Sequence, residues 1–311
     1  MRATRDWFGD ALASVGKTHK KVVVVNCDLA SATKTQKFKD EYNDRFFECG
    51  IAEANGIGIA AGLAQEGMRP FLASFGHFLA SKYLEIFQSI GLNNTGVVLV
   101  GTHAGLAIGK DGPTQMGLRD LALMRTLHNM EIYHPVDGIE TQQMMEYLVS
   151  HNHPSYLRLC RQPVQEVHDK DYQFSFGEPD VLSYGTDITI FSMGGTIPVL
   201  VDCLETFQQK GISATIVNVS SLPISKEKVK QVLFDTKQVL VLEDHFIKGG
   251  LADEIGKIIM EIDSGIRFAS WGVPDYGQAA DPGDLYARYQ LDANGIINNV
   301  EKFLSGQSIW Q

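Results

Sequence analysis

Cysteine is scarce in this chain: Cys27, Cys49, Cys160 and Cys203 are the only four in 311 residues, and no two stand in CxxC spacing. That excludes a disulfide-stapled scaffold and a cysteine-rich metal site, and makes free, mostly buried thiols in a reducing cytoplasm the expectation. Long apolar runs are missing as well, so no stretch approaches the length of a membrane span. Basic blocks are absent and the formal net charge is −10, which argues against a nucleic-acid or anionic-membrane surface. The opening MRATRDWFGDAL is charged and amphipathic, unlike a secretory leader, so a cytoplasmic location is expected. Internal repeats and low-complexity tracts are not visible. Histidines offer no metal-ligand spacing, and His151 and His153 read as a solvated helix end.

What the chain does contain is globular: 44% hydrophobic and 21% charged residues, in a length that suits two domains with a core each. Thr4 is placed to cap a first helix with Trp7, Phe8, Ala11, Leu12 and Val15 on one face. The run VVVV at 22–25 predicts a fully buried central strand that delivers Asn26, Cys27 and Asp28 to its carboxyl end. Strands near 70–75, 97–100, 130–133 and 155–159 alternate with helices near 79–90, 118–127 and 138–150, the last capped by Asp137. A polar, proline-bearing stretch reads as a linker. A second alternation then follows, with strands at 188–191, 214–219, 239–242 and 267–271 and helices at 195–211, 226–234, 251–262 and 293–304. The fold class expected is α/β: two consecutive open, mainly parallel sheets with helices on both faces, over 1–165 and 186–311 with a linker at 166–185.

Chemistry concentrates in few places. In FFECGIAEANGIGIAAG (46–62), which also holds Glu48, the carboxylate of Glu53 stands between an apolar lead-in and a helix of small residues. An acid there suits a buried group holding a ligand nitrogen, although the macrodipole alone also favours Glu at a helix start. Its glycines miss the dinucleotide spacing, so close helix packing explains them better. Phe71 reads as core, while Phe78 falls just past a strand where a ligand ring can stack. The loop GTHAGLAIGKDGPTQMG (101–117) is long for a connection inside a domain, and such loops are usually functional. Arg158 and Arg161 end a strand as surface charges or as an anion clamp.

Taken in order, these pieces resemble the C-terminal half of transketolase in the form encoded as a separate subunit. The resemblance is carried by ATRDWFGDAL at the start, CDLASATKT (27–35), FFECGIAEANGIGIAAGLA (46–64) and GTHAGLAIGKDGPT (101–114). NMEIYHPVDGIE (129–140), LCRQP (159–163) and LEDHFIKGGLADEI (242–255) complete it. It implies a pyrimidine-binding domain followed by a transketolase C-terminal domain, the pair also found in deoxyxylulose phosphate synthase and in 2-oxoacid dehydrogenase beta subunits. It further implies a transferase that moves a two-carbon ketol unit from an anionic ketose to an aldose on thiamine diphosphate, a cofactor that carries the electron-sink chemistry itself.

By position, Glu53 matches the glutamate that hydrogen-bonds the aminopyrimidine and favours its imino tautomer, and Phe78 the aromatic stacked on that ring. Ile51 and Phe75 fall in the same cofactor pocket. Arg5, His103 and Arg161 match the substrate channel, the two arginines gripping the terminal phosphate and His103 sharing the catalytic role with Glu53. Asp111 matches an aspartate near the sugar hydroxyls. Gln115 stands where a histidine usually reaches the donor, Ala32 where a serine helps hold phosphate, and Ser81 and Leu84 where aromatics usually follow Phe78. A sulfonated or otherwise modified sugar is therefore an open alternative.

The GDG…N pattern that ligates Mg²⁺ and the diphosphate is not in the sequence. The resemblance thus implies an N-terminal partner subunit carrying it, in an α2β2 heterotetramer. The competing readings are another thiamine-diphosphate subunit of the 2-oxoacid dehydrogenase beta type, and a non-catalytic regulatory subunit that kept the fold.

Overall fold

The structure is a computed structural model that describes residues 1–233, 236–262 and 265–309. It opens with a short strand β1 (Arg2–Ala3) and helix α1 (Thr4–Thr18), then enters a sheet through β2 (Val22–Asn26). Helices α2 (Ala30–Thr33) and α3 (Gln36–Glu41) lead to β3 (Phe46–Glu48), the glycine-rich α4 (Glu53–Gln65) and β4 (Arg69–Phe75). Short helices α5 (Gly76–Ala80) and α6 (Tyr83–Ile86) precede β5 (Val98–Thr102). Then come α7 (Asp120–Arg125), β6 (Glu131–Tyr133), α8 (Gly138–Ser150), β7 (Ser155–Arg158) and β8 (Pro163–Val164).

Strands β6, β7, β5, β4, β2 and β3 form a parallel sheet in that order. Val22 to Val25 are at most 1% exposed, as a strand covered on both faces requires. The expected helix over 79–90 is broken. After α6 the chain widens into a π-turn over 87–91, where the amide of Leu92 reaches back five residues to the Phe87 carbonyl (2.9 Å). Thr4 is the first helical residue rather than the cap. Its hydroxyl accepts the amide of Cys160 (2.8 Å), which pins the start of α1 to the end of β7. Asp137 does cap α8, accepting the amide of Glu140 (2.9 Å).

The second unit consists of β9 (Asp180–Ser183), β10 (Ile188–Ser192), α9 (Thr196–Asp202), α10 (Leu204–Gln209), β11 (Ala214–Asn218), β12 (Ser221–Leu222) and α11 (Lys226–Val232). It continues with β13 (Gln238–Phe246), α12 (Leu251–Ile262), β14 (Arg267–Val273), α13 (Pro282–Arg288) and α14 (Ala293–Leu304). Parallel strands β14, β13, β10 and β11 are edged by antiparallel β9. Strand β12 instead adds an antiparallel edge to β6 of the first sheet. The expected end of helix 226–234 lies outside the described residues. Apolar packing crosses between the units: Phe75, Leu106, Ile108 and Leu118 share one cluster with Leu240, Leu242, Val273 and Leu285.

Residues 166–185 hold more structure than a linker reading implies. Their end forms β9, and Phe174 and Phe176 pack on Tyr133 and Tyr147. His168, its side chain 4% exposed, lies between Asp137 (3.0 Å) and Asp180 (2.9 Å) and stacks on Tyr172. The Tyr172 hydroxyl donates to buried Glu140 (2.6 Å). Burial opposes the imidazolium, but hydrogen bonds to Asp137 and Asp180 raise its pKa from 6.5 to about 10. The stabilisation this confers is fully present below pH 6.5 and is lost as pH rises through about 10. His168→Gln is therefore expected to cost about 3 kcal/mol in urea unfolding at neutral pH, as for a buried pair that loses one partner. The gap to wild type should close above pH 10, and a gap that is flat with pH would refute the ion pair.

Candidate active site

The site forms where the parallel strands end, the place open α/β sheets reserve for ligands. Glu53 is the first residue of α4 and is 8% exposed. Its Oε1 accepts the hydroxyl of Ser74, near the end of β4, at 2.9 Å. The Ser74 carbonyl lies 3.3 Å from the hydroxyl of Thr102, the last residue of β5, and Thr102 Oγ1 lies 2.9 Å from His103 Nδ1. His103 Nε2 is 2.7 Å from Arg5 at the start of α1. A guanidinium can only donate, so Nε2 accepts, and the ring proton then sits on Nδ1 and is donated to Thr102. An ordered run of polar contacts thus joins Arg5 to Glu53.

His103 takes a left-handed backbone, φ 58°, uncommon for a side-chain-bearing residue and concentrated at functional sites. Burial, and then the charges of Arg5, Arg161 and Lys34, lower its pKa to about 3. It is accordingly neutral at physiological pH and contributes a hydrogen-bond acceptor without charge. Its ring lies 3.9 Å from that of Phe75, which is in turn nearly parallel to Phe78 (5.3 Å, 10°). Phe78 is half-buried. Cys27 nearby is a poor nucleophile, since burial and then Glu53 push its thiol up to about 12.

Beside this aromatic group lies an open cavity of about 310 Å³ lined by Arg5, Ile108, Lys110, Asp111, Arg161 and Asp281, among others. Arg5 also donates to the Ala32 carbonyl (3.1 Å). Arg161 donates to the Ile108 carbonyl (3.0 Å) and contacts Asp111 (3.4 Å). Lys110 pairs with Asp281 across the rim at 3.0 Å.

The structure therefore brings Arg5, Asp111 and Arg161 to one basic cavity, with buried His103 bonded to Arg5 and Glu53, Phe75 and Phe78 connected in turn through His103 and Ser74. Gln115 is half-buried further along the same loop, its backbone N–H donating to the Gly112 carbonyl. Ile51 is 85% exposed before α4. Arg158 is not part of the cavity. It is 2% exposed and bonds Asp120, His134, Gly117 and Asp244. The glycines of α4 divide in two: a Cβ on Gly56 would press on Cys27 and Leu72, whereas Gly58 and Gly62 face open space, so internal packing explains only the first. Ser74 and Thr102 carry a single signal in the sequence, a hydroxyl inside an otherwise apolar strand. Asp281, supplied by the second unit, carries none.

Comparison with known families now bears on this geometry. Residues 1–166 match the family described as transketolase, pyrimidine binding domain, and residues 177–296 match the transketolase C-terminal domain. The chain belongs to the transketolase family. A subunit of the apulose-4-phosphate transketolase of Phocaeicola vulgatus is 30% identical, over 98% of each chain. The 1-deoxy-D-xylulose-5-phosphate synthase 1 of Geobacter sulfurreducens is 31% identical over 96% of this chain, which spans only 48% of that relative. A solved structure described as a split gene transketolase, inactive beta4 tetramer, superposes with a TM-score of 0.90 at 34% identity, covering 99% of this chain and 100% of its own.

A transketolase-family chain with this cavity should keep His103 uncharged. Titration of its ring by NMR is expected to show the Nδ1–H tautomer and no inflection between pH 5 and 8. An inflection near the ordinary 6.5 would show that Arg5 does not donate to it.

Proposed function

We propose that this chain is the C-terminal, beta-type subunit of a two-chain transketolase that moves a two-carbon ketol unit from an anionic ketose to an aldose with thiamine diphosphate. The observation that carries the reading is the polar run from Glu53 through Ser74, Thr102 and His103 to Arg5. It links a buried carboxylate to a two-arginine cavity. The residues fit the pyrimidine half of the cofactor. Glu53 is buried, with Oε1 oriented by Ser74, and the stacked Phe75–Phe78 pair follows Ser74 at the end of the same strand. When bound, thiamine diphosphate supplies the carbanion chemistry that breaks and makes the carbon–carbon bond.

In this reading Glu53 holds the pyrimidine nitrogen, and Phe78 and Phe75, with Ile51 at the edge, orient and dry its surroundings. Neutral His103 accepts a hydrogen bond from Arg5 and so aims that guanidinium. Arg5 and Arg161 fix the sugar's terminal anion by charge-assisted bonds. Asp111 and Gln115 reach its hydroxyls. Mg²⁺ and the diphosphate are assigned to an N-terminal partner subunit carrying GDG…N, in an α2β2 heterotetramer. Two findings support a partner. The chain spans nearly all of a relative that is itself named as one subunit of a transketolase, but about half of others. A close structural neighbour is described as an inactive beta4 tetramer.

The decisive test is calorimetry with thiamine diphosphate and Mg²⁺ on the chain alone and with the partner added. Tight binding and ketose turnover are expected only for the mixture, and micromolar binding by the chain alone would end the two-subunit reading. In the reconstituted complex, Glu53→Gln should fold normally and lose about 10²-fold or more in kcat. Arg161→Ala should raise KM for an anionic donor by about 10- to 100-fold, the scale of one charge-assisted bond, and spare an uncharged analogue. Equal losses on both donors would make Arg161 structural.

A further inference from the structure

The loop that carries His103, Asp111 and Gln115 is held from behind by the second unit. We propose that Asp244 and Tyr286 are positioning residues for the anion-binding side of the site, a role that rests on the reading of that cavity given above. Asp244 lies on β13 where its pairing with β14 shifts register, between Leu242 and Phe246. Its Oδ1 accepts the amide of Leu106 (2.9 Å) and its Oδ2 accepts the hydroxyl of Tyr286 on α13 (2.6 Å). The carboxylate lies directly over Gly105, whose φ is 70° and where a Cβ would collide with Asp244 Oδ2. Only glycine lets the loop approach this closely.

The far end of the loop is fastened to the same strand. The Phe246 amide donates to the Leu118 carbonyl (2.8 Å), and Arg158 bridges the carbonyls of Gly117 and Asp244. In between, Gly109 and Gly112 rest against Pro282 and Ala279. Two residues beyond Leu106, the carbonyl of Ile108 takes its hydrogen bond from Arg161. A hydroxyl on the second unit is thus connected to the anion-binding guanidinium by Tyr286, Asp244, the backbone of 106–108, and Arg161. A contact that only glued the two units together would show no preference for this loop and no dependence on Arg161.

The test uses the full chain and Tyr286→Phe, which keeps the ring and removes only the hydroxyl. Amide exchange over 105–112 should speed up about ten-fold, the scale of one lost hydrogen bond, while β5 and α12 keep their protection. Affinity for inorganic phosphate, followed by NMR, should fall about three- to ten-fold, and by nothing further when Tyr286→Phe is placed on Arg161→Ala. Unchanged exchange at 105–112, exchange raised evenly across both units, or an equal phosphate loss in the Arg161→Ala background would each overturn the proposal. If the wild-type chain binds no phosphate, the anion-cavity reading falls, and exchange at Leu106 still decides whether Tyr286 positions the loop.

Discussion

A permanently charged guanidinium sits at the centre of this molecule. Arg158 is the bulkiest fully buried side chain among the described residues, and an isolated ion there would cost several kcal/mol. Each of its partners comes from a different part of the chain: Asp120 from α7, His134 from beyond β6, Gly117 from the glycine-rich loop and Asp244 from the second unit. Burial, and then Arg158 itself, hold His134 down to about 3, so this histidine also accepts rather than repels. Gly194 leaves room for it: its φ is 62°, and a Cβ there would strike the imidazole. Three of the Arg158 partners, the Asp120 carboxylate among them, lie in the first unit, and docking of the second unit adds the Asp244 carbonyl as the fourth.

The same device recurs at the cavity, where burial and then Arg5 keep His103 neutral as burial and then Arg158 keep His134 neutral. In the interior this removes a second buried charge. At the surface it leaves a site whose positive potential comes from Arg5, Arg161, Lys34 and Lys110, with a ring that relays orientation and adds no titrating charge at neutral pH. Asp111 and Asp281 temper that potential at the rim.

How much of this was legible in the sequence depended on how local the cause was. Buried parallel strands announce themselves through runs such as VVVV, and Asp137 announces a helix start, because both obey short-range rules. The break at 87–91 and the splitting of the helix after Thr196 did not show, since a change of hydrogen-bond spacing leaves apolar periodicity nearly intact. Glu53 stood out as a carboxylate among apolar and small residues, and the geometry joins it to Arg5 over a sequence distance no pattern reports. Arg158 and Arg161, three residues apart, read alike by residue type and position, and only the resemblance singled out Arg161. Only the sheet decides that the first points inward, while the second, past the strand end, escapes to the cavity. His168 was invisible because its two carboxylates come from a helix cap and a strand edge.

Strand β12 carries a consequence for how the chain is made. Two residues, Ser221 and Leu222, cover the outer edge of β6, yet they belong to the second unit and emerge late from the ribosome. Until then the first sheet has a bare row of backbone donors and acceptors on that side, the kind of edge on which strands from other molecules add. The N-terminal unit therefore cannot finish itself by folding early, as domains made in sequence usually do. Its last strand arrives only after the second sheet has begun, so the first sheet is complete only in the two-domain chain.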